Sequence, residues 1–345
     1  MTTIKDIAEL AGVSTTTVSY VINKTRYVSD ELTIRVIDAM ETLDYHPNIL
    51  ARSLRSGSTK TIGLVIPDIT NQFFSEISRL IEDKGFEFGY SVILCNTDDD
   101  LDKEKHYIDV MINKQIDGVI FISSGNSSEV LAKAEKFNIP IVLADRNIEN
   151  TSFDLVLTNN FKGGYDATKY LIDLGHQKIA CIAGPSLITP SSDRLTGYKQ
   201  ALSDSGIPFD PTLVIHGDFH FESGIIATKS ILERSKDTSA VFACNDMMAL
   251  GAMRTIHNSG LEIPGDISVI GFDNVPLSHT AYPALTTIAQ PINQISVLSV
   301  EYLLERIRNK SKSNKDYQRT KIPYRKELLD TRLVVRASCG KANHS

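Results

Sequence analysis

Apolar residues recur at two different periods along the chain, and the change comes near residue 60. In the first stretch Ile4, Ile7, Ala8 and Ala11 fall at i, i+3, i+4 and i+7, one face of a short helix. Thr3-Ile-Lys-Asp6 has the form of a capping box, with Thr3 as N-cap and Asp6 reaching back. Gly12 stops this helix at a position suited to a left-handed cap. Ser14 can cap a second helix, in which Val18, Val21 and Ile22 point inward and Thr15, Thr16, Ser19, Tyr20 and Asn23 point outward. Ser29 or Asp30 caps a third, with Leu32, Val36, Met40 and Leu43 closing a three-helix core. Two short helices joined by a tight glycine-containing turn make a helix-turn-helix. Its outward set is small and hydroxyl-rich, which lets a helix approach the floor of a DNA major groove. Any small helical bundle also has a polar outer face, so the pattern alone leaves both readings open.

From Thr61 the period shortens to apolar runs separated by helical-length segments. Runs occur at Thr61–Ile66, Tyr90–Cys95, Gly118–Ile122 and Ile139–Ala144, then at Lys178–Ala183, Ala240–Cys244 and Ile267–Phe272. Between them Phe73–Phe88, Leu101–Asn113, Phe161–Leu174 and Met247–Ser259 read as helices. This alternation predicts an α/β domain of parallel sheets covered by helices, in two similar lobes divided near residue 158. The stretch from Pro323 through Val335 reads as a last strand.

Ligands in such folds bind off the carboxyl ends of the strands. The residues found there are Asn71, Phe73 and Phe74, then Asp145 and Arg146, then Asp193 and Arg194 opening a helix. Phe219, Asn245 with Asp246, Asp273 and Gln290 follow later strands. Aromatic rings that stack on C–H surface, with carboxylates, amides and guanidinium groups that bond paired hydroxyls, suit a sugar. Asp and Asn after a strand also cap helices. That simpler reading is favoured for Asp246, and either phenylalanine can serve the core.

Composition narrows the classes. With 345 residues the chain holds two or three domains; 42% hydrophobic and 23% charged residues exclude disorder and collagen-like repeats. Runs such as Ile139–Ala144 are far shorter than a membrane span, and Met1 through Lys5 lead into a charged amphipathic pattern rather than a signal peptide. A cytoplasmic, nucleoid-associated protein with no membrane partner is expected. Cys95, Cys181, Cys244 and Cys339 lie far apart, and His216 with His220 stand in a strand-like context. No metal site and no cofactor are therefore expected. No G-x-G-x-x-G, P-loop or G-x-S-x-G occurs, and no nucleophile–base pair follows from spacing, so an enzyme is not expected. The net charge of −6 lies wholly beyond residue 60, since the first sixty residues carry seven bases and seven acids. Residues 45–60 hold His46, Arg52, Arg55 and Lys60 with no acid, the one locally cationic segment of the head.

Thr3-Ile-Lys-Asp-Ile-Ala-Glu-Leu-Ala-Gly-Val-Ser-Thr-Thr-Thr-Val-Ser19, with Val21-Ile-Asn23, Tyr45-His-Pro-Asn48 and Ala51-Arg-Ser-Leu-Arg55, closely resembles the DNA-binding head of the LacI/GalR regulators. Residues 15–26 are especially similar to the purine-repressor branch, except at Tyr20, where that branch has histidine. The resemblance implies a helix-turn-helix domain over 1–47, a hinge helix and linker over 48–60, and a two-lobed effector-binding and dimerisation domain over 61–345. Within the last, it places an N-lobe at about 61–158 and 290–320 and a C-lobe at about 161–288 and 322–340.

It further implies that Thr15, Thr16 and Tyr20 touch base edges, while Ser14, Thr17 and Asn23 fix the helix against phosphate. Leu54, beside Arg55, would wedge into the minor groove of a pseudo-palindromic operator. Residues 61–340 resemble the periplasmic sugar-binding fold and, within it, ribose-binding protein and the ribose-repressor branch. This implies a ribose site at Asn71, Phe73, Phe74, Asp145, Arg146, Arg194, Phe219, Asn245, Asp273 and Gln290. Ile188 and Pro190 replace the polar pair that holds a base in the purine-repressor branch. No leucine heptad follows the last strand, so a homodimer is expected rather than a tetramer. A phosphocarrier protein as coeffector is left open, as are the exact sugar and the sign of the response.

Overall fold

The computed structural model describes residues 2–23, 25–45, 57–125, 127–148, 151–313 and 323–342. The chain divides into two compact units, residues 1–59 and 60–345. Leu54 and Arg55, with the rest of residues 46–56, lie outside the described residues.

Three helices build the first unit: α1 (Ile4–Ala11), α2 (Thr15–Asn23) and α3 (Asp30–Thr42). The capping box forms as its spacing dictates: Thr3 Oγ1 accepts from Asp6 N, and Asp6 accepts from Thr3 N at 2.7 Å. Gly12 ends α1 with φ of 63°. Ser14 Oγ accepts from Thr17 N at 3.0 Å and so caps α2. Ile7, Ala8, Ala11, Val18, Val36 and Ala39 form the core, with Val21, Ile22, Met40 and Leu43 packed on it. Ser29 stands at the start of α3 without a side-chain capping bond, because its N-cap hydroxyl accepts nothing from the first turn.

The second unit holds two six-stranded sheets, each wrapped by helices. The first contains β1 (Thr61–Ile66), β2 (Ser91–Asn96), β3 (Gly118–Phe121), β4 (Ile141–Ala144), β5 (Asp154–Thr158) and β11 (Lys326–Leu329) in the order β11-β5-β4-β3-β1-β2, all parallel. The second contains β6 (Ile179–Ala183), β7 (Val214–His216), β8 (Ala240–Ala243), β9 (Ser268–Asp273), β10 (Thr286–Ala289) and β12 (Arg332–Val334) in the order β12-β10-β9-β8-β6-β7. There β12 runs antiparallel to β10 and the other pairings are parallel. Apolar strands covered on both faces explain the near-continuous hydrophobic runs. One face of the first sheet meets the helices Gln72–Glu87 and Ile292–Ser313, and the other meets Leu101–Asn113 and Ser128–Lys136.

The chain crosses between lobes three times, after β5, after β10 and after β11. The last crossing corrects the expected division of the C-terminal segment. Pro323–Val335 is two short strands in different sheets, and Lys326–Leu329 belongs to the first lobe rather than to a C-lobe piece at 322–340. Asp154 is the physical reason, since its buried carboxylate takes the backbone N–H and guanidinium of Arg325 and the guanidinium of Arg306. That cluster fastens the start of β11 against β5. Among the described residues no helix is long and apolar enough to cross a membrane.

Candidate functional site: a polar cleft between the lobes

In each sheet the strand order reverses beside the first strand of its lobe, between β1 and β3 and between β6 and β8. Such switch points open a crevice at the carboxyl ends of the strands. A narrow cleft lies there, lined by residues of both lobes.

The first lobe supplies its wall from two loops. Asn71 caps the helix Gln72–Glu87 by accepting from Phe73 N at 3.1 Å, which turns Phe73 and Phe74 into the cleft. Their rings meet edge to face at 5.2 Å. After β4 the backbone turns left-handed at Asp145, with φ of 62°. Asp145 lies 3.8 Å from the Arg146 guanidinium through one oxygen, while its Oδ1 is buried without a partner. Arg146 donates to the Ser123 carbonyl at 2.6 Å and stands over the Phe74 ring.

The second lobe supplies the facing wall. Arg194 lies in the second turn of the helix Thr189–Asp204 rather than at its opening, because that helix begins at Thr189. Its Nε donates to Asn160 Oδ1 at 2.8 Å, Nη1 donates to the Cys244 carbonyl, and the guanidinium stacks on Phe272 at 3.6 Å. Gly164 makes this possible: a Cβ there would stand 2.2 Å from the Arg194 carbonyl oxygen, so the two helices close only over a bare backbone. Phe219 enters with φ of 71°, and its carbonyl accepts from Asn245 Nδ2 at 2.8 Å. Asn245 Oδ1 accepts from Met248 N, so Asn245 caps the helix Asp246–Asn258. This corrects the capping role expected for Asp246, whose buried oxygens go elsewhere. Asp273, with φ of 110°, lies 3.5 Å from Arg194 and accepts from Gln290 Nε2 at 2.8 Å, leaving Gln290 Oε1 buried and unpartnered.

All ten residues expected of a ligand site therefore line one cavity, joined by Ile188 and Pro190. Three of them, Asp145, Phe219 and Asp273, hold left-handed backbone that side chains disfavour, and such strain concentrates where function needs a fixed geometry. Burial pushes the Asp145 carboxyl up against the pull of Arg146 and Arg194. Burial raises Asp273 to about 7, with Arg194 and Gln290 opposing and Asp145 adding to the rise. Sequence reasoning missed Asn160 and Ser123, which hold the two arginines. Nothing in their local pattern separates them from ordinary strand-end polar residues.

On α2, Thr15 and Thr16 are exposed and Tyr20 is half-buried, with Arg26 over its ring at 5.4 Å. Thr17 bonds Ser14, and Asn23 donates to Ser19 O at 2.8 Å. These bonds are local to the helix and its cap.

The pattern of the periplasmic binding proteins and sugar-binding domain of the LacI family matches residues 59–330, and that of the bacterial regulatory proteins of the lacI family matches residues 3–48. The chain belongs to the LacI family. It is 42% identical over 321 residues to the HTH-type transcriptional repressor PurR of Aliivibrio fischeri strain MJ11, covering 92% of this chain and 95% of that protein. Among solved structures it resembles the lac repressor dimer bound to operator and the anti-inducer ONPF, with TM-score 0.84, 29% identity and 98% of each chain covered. It also resembles a LacI family regulator from Enterococcus faecium with bound ribose, with TM-score 0.72 and 32% identity over 82% of this chain and 100% of that one. That relative carries the PurR name, where the strand-end residues pointed to the ribose-repressor branch. Polar residues at strand ends mark a site common to sugar-binding folds and say little about the branch.

Proposed function

We propose that this LacI family member is an operator-binding transcriptional repressor whose DNA affinity is set by a pentose such as ribose held between the lobes. The observation that carries the effector class is the pair of buried carboxyls, Asp145 and Asp273, each beside a buried arginine, with Asp145 Oδ1 and Gln290 Oε1 unpartnered and lining the cleft. Unpartnered buried acceptors are costly and call for a ligand rich in hydroxyl donors. The phenylalanine rings supply stacking surface for its C–H faces. The ribose-bound regulator of the same fold supports this reading.

A second reading is a purine base, favoured by the PurR relatives. Against it stand Ile188 and Pro190, two apolar lining side chains that offer a base edge no hydrogen bond. On the DNA side, Thr15, Thr16 and Tyr20 read bases, Ser14, Thr17 and Asn23 set the helix on phosphate, and Leu54 with Arg55 enters the minor groove. A homodimer presents two such heads to a pseudo-palindromic site.

The test is fluorescence anisotropy of a palindromic operator duplex titrated with the full chain, alone, with D-ribose and with hypoxanthine. A change of operator affinity with ribose alone supports the pentose reading. A change with hypoxanthine alone replaces it with the purine reading. Tight operator binding indifferent to both discards each and directs the search to other sugars and to a phosphocarrier protein.

A further inference from the structure

Asp246 is a fully buried carboxyl beside the cleft that neither caps its helix nor forms a salt bridge among the described residues. Its Oδ2 accepts from Val275 N at 2.9 Å, and its Oδ1 accepts from the Thr287 hydroxyl at 2.6 Å. The Thr287 oxygen in turn lies 3.4 Å from Asn274 N, which donates to it. One carboxyl and its hydroxyl partner therefore take two consecutive backbone N–H groups of the turn that follows β9. That turn is strained, with φ of 110° at Asp273 and 61° at Asn274, a region that side chains rarely adopt without outside support. Arg336 grips the turn separately through Asn274 Oδ1 at 2.5 Å. Room for Asp246 is made by Gly271, where a Cβ would stand 2.2 Å from Asp246 Oδ1.

The two ends of this turn do different things. Asp273 lines the cleft, while Val275 is buried in the apolar cluster of the first lobe with Phe73, Ile295 and Val300. We propose that Asp246 is a positioning residue for the effector site, bracing the Asp273–Val275 turn so that ligand contact at Asp273 and the seating of Val275 in the opposite lobe are set together. This rests on the reading of the cleft as the effector site. Burial, with the nearby Asp273 carboxyl adding to it, raises the Asp246 carboxyl well above the ordinary carboxylate range, and the brace itself is the hydrogen-bond frame to Val275 and Thr287.

Four variants of the full chain test it: Asp246→Ala, Asp246→Asn, Thr287→Val and Thr287→Ser. The readouts are the Kd for D-ribose or hypoxanthine, whichever the parent binds, operator affinity without effector, and hydrogen exchange of the backbone over 273–280. Asp246→Ala is expected to weaken effector binding about tenfold, the loss of two buried hydrogen bonds, and to speed exchange in 273–280 while other segments keep parent rates. Asp246→Asn keeps an acceptor for Val275 N–H and can hold the Thr287 oxygen by a bond of reversed direction, its amide N–H donating, so it should restore both readouts to within about threefold. Thr287→Val should lose part of each and Thr287→Ser neither, with effector-free operator affinity unchanged throughout. Parent-like affinity and exchange in both Asp246→Ala and Thr287→Val would overturn the proposal, as would an Asn variant as impaired as the Ala variant. Should Asp246→Ala fail to fold, the two Thr287 variants decide. A parent chain that binds neither probe defeats the effector reading, whereas the exchange readout tests the brace regardless of ligand.

Discussion

Asp273 concentrates the chemistry of the cleft in one carboxyl. Burial raises it to about 7, while Arg194 at 3.5 Å and Gln290 at 2.8 Å favour its ionised form. A ligand hydroxyl donating to the carboxylate favours ionisation further, so binding lowers the pKa and releases a proton. Affinity then follows the ionised fraction of the free protein and falls as pH drops through 7. With a free pKa near 7, effector Kd should rise about tenfold from pH 8 to pH 6. Titration calorimetry in two buffers of different ionisation enthalpy checks both the trend and the proton release. Asp273→Asn should bind weakly at every pH with a flat profile; a flat profile in the parent would mean the ligand takes no hydrogen bond from this carboxylate.

Among the elements, β11 shows how a polar cluster decides topology. Its residues alternate between half-buried and exposed at the edge of the first sheet, so apolar burial alone does little to hold it. Asp154 does, through Arg306 and Arg325, and Arg325 also reaches Glu305 at 2.7 Å. Replacing Asp154 with Ala leaves two guanidinium groups without their shared acceptor and should cost about 3 kcal/mol, read as a lower midpoint in urea unfolding. Burial alone would raise the Asp154 carboxyl, but the hydrogen bonds from Arg306 and Arg325 outweigh it and hold it below the ordinary range. The sign follows: the stabilisation is complete above the unfolded carboxylate pKa and is lost as pH falls through the lower folded value. The parent and Asp154→Ala midpoints should therefore converge in strong acid; an equal gap at every pH would mean the cost is packing alone.

The same strand marks what the sequence can and cannot disclose. Strands such as Thr61–Ile66 are legible because burial on both faces writes an unbroken apolar run, and the ten cleft residues are legible because they follow such runs. Lys326–Leu329 carries only an edge pattern that either lobe could accept, so its sheet is decided by Asp154, some 170 positions away. Asn245 and Asp246 are adjacent, and each can cap a helix. Only the path of the chain back through Val275 and Thr287 separates the cap from the brace.

At the scale of the effector unit, the cleft is ringed by contacts that bridge its lobes. Gln72 Oε1 accepts from Leu277 N at 3.1 Å, His220 Nε2 lies 3.4 Å from Asp68 Oδ2, and Thr189 Oγ1 reaches the Asn147 carbonyl at 3.5 Å. Each joins a residue of the first lobe to one of the second without entering the ligand cavity, so each favours the closed arrangement itself. A bridge of this kind contributes about 1 kcal/mol, which would reduce the closed fraction about fivefold when the closed form is in the minority. Removing the Gln72 bridge should therefore act on escape of the ligand more than on its capture. For Gln72→Ala, stopped-flow kinetics should show dissociation accelerated about threefold to fivefold and association changed by less than twofold. Operator affinity at saturating effector should match that of the parent, because bound ligand then supplies the closure that the side chain no longer does. A slower association with unchanged dissociation would mean instead that Gln72 shapes the mouth of the open cleft, and that closure owes nothing to its bond with Leu277.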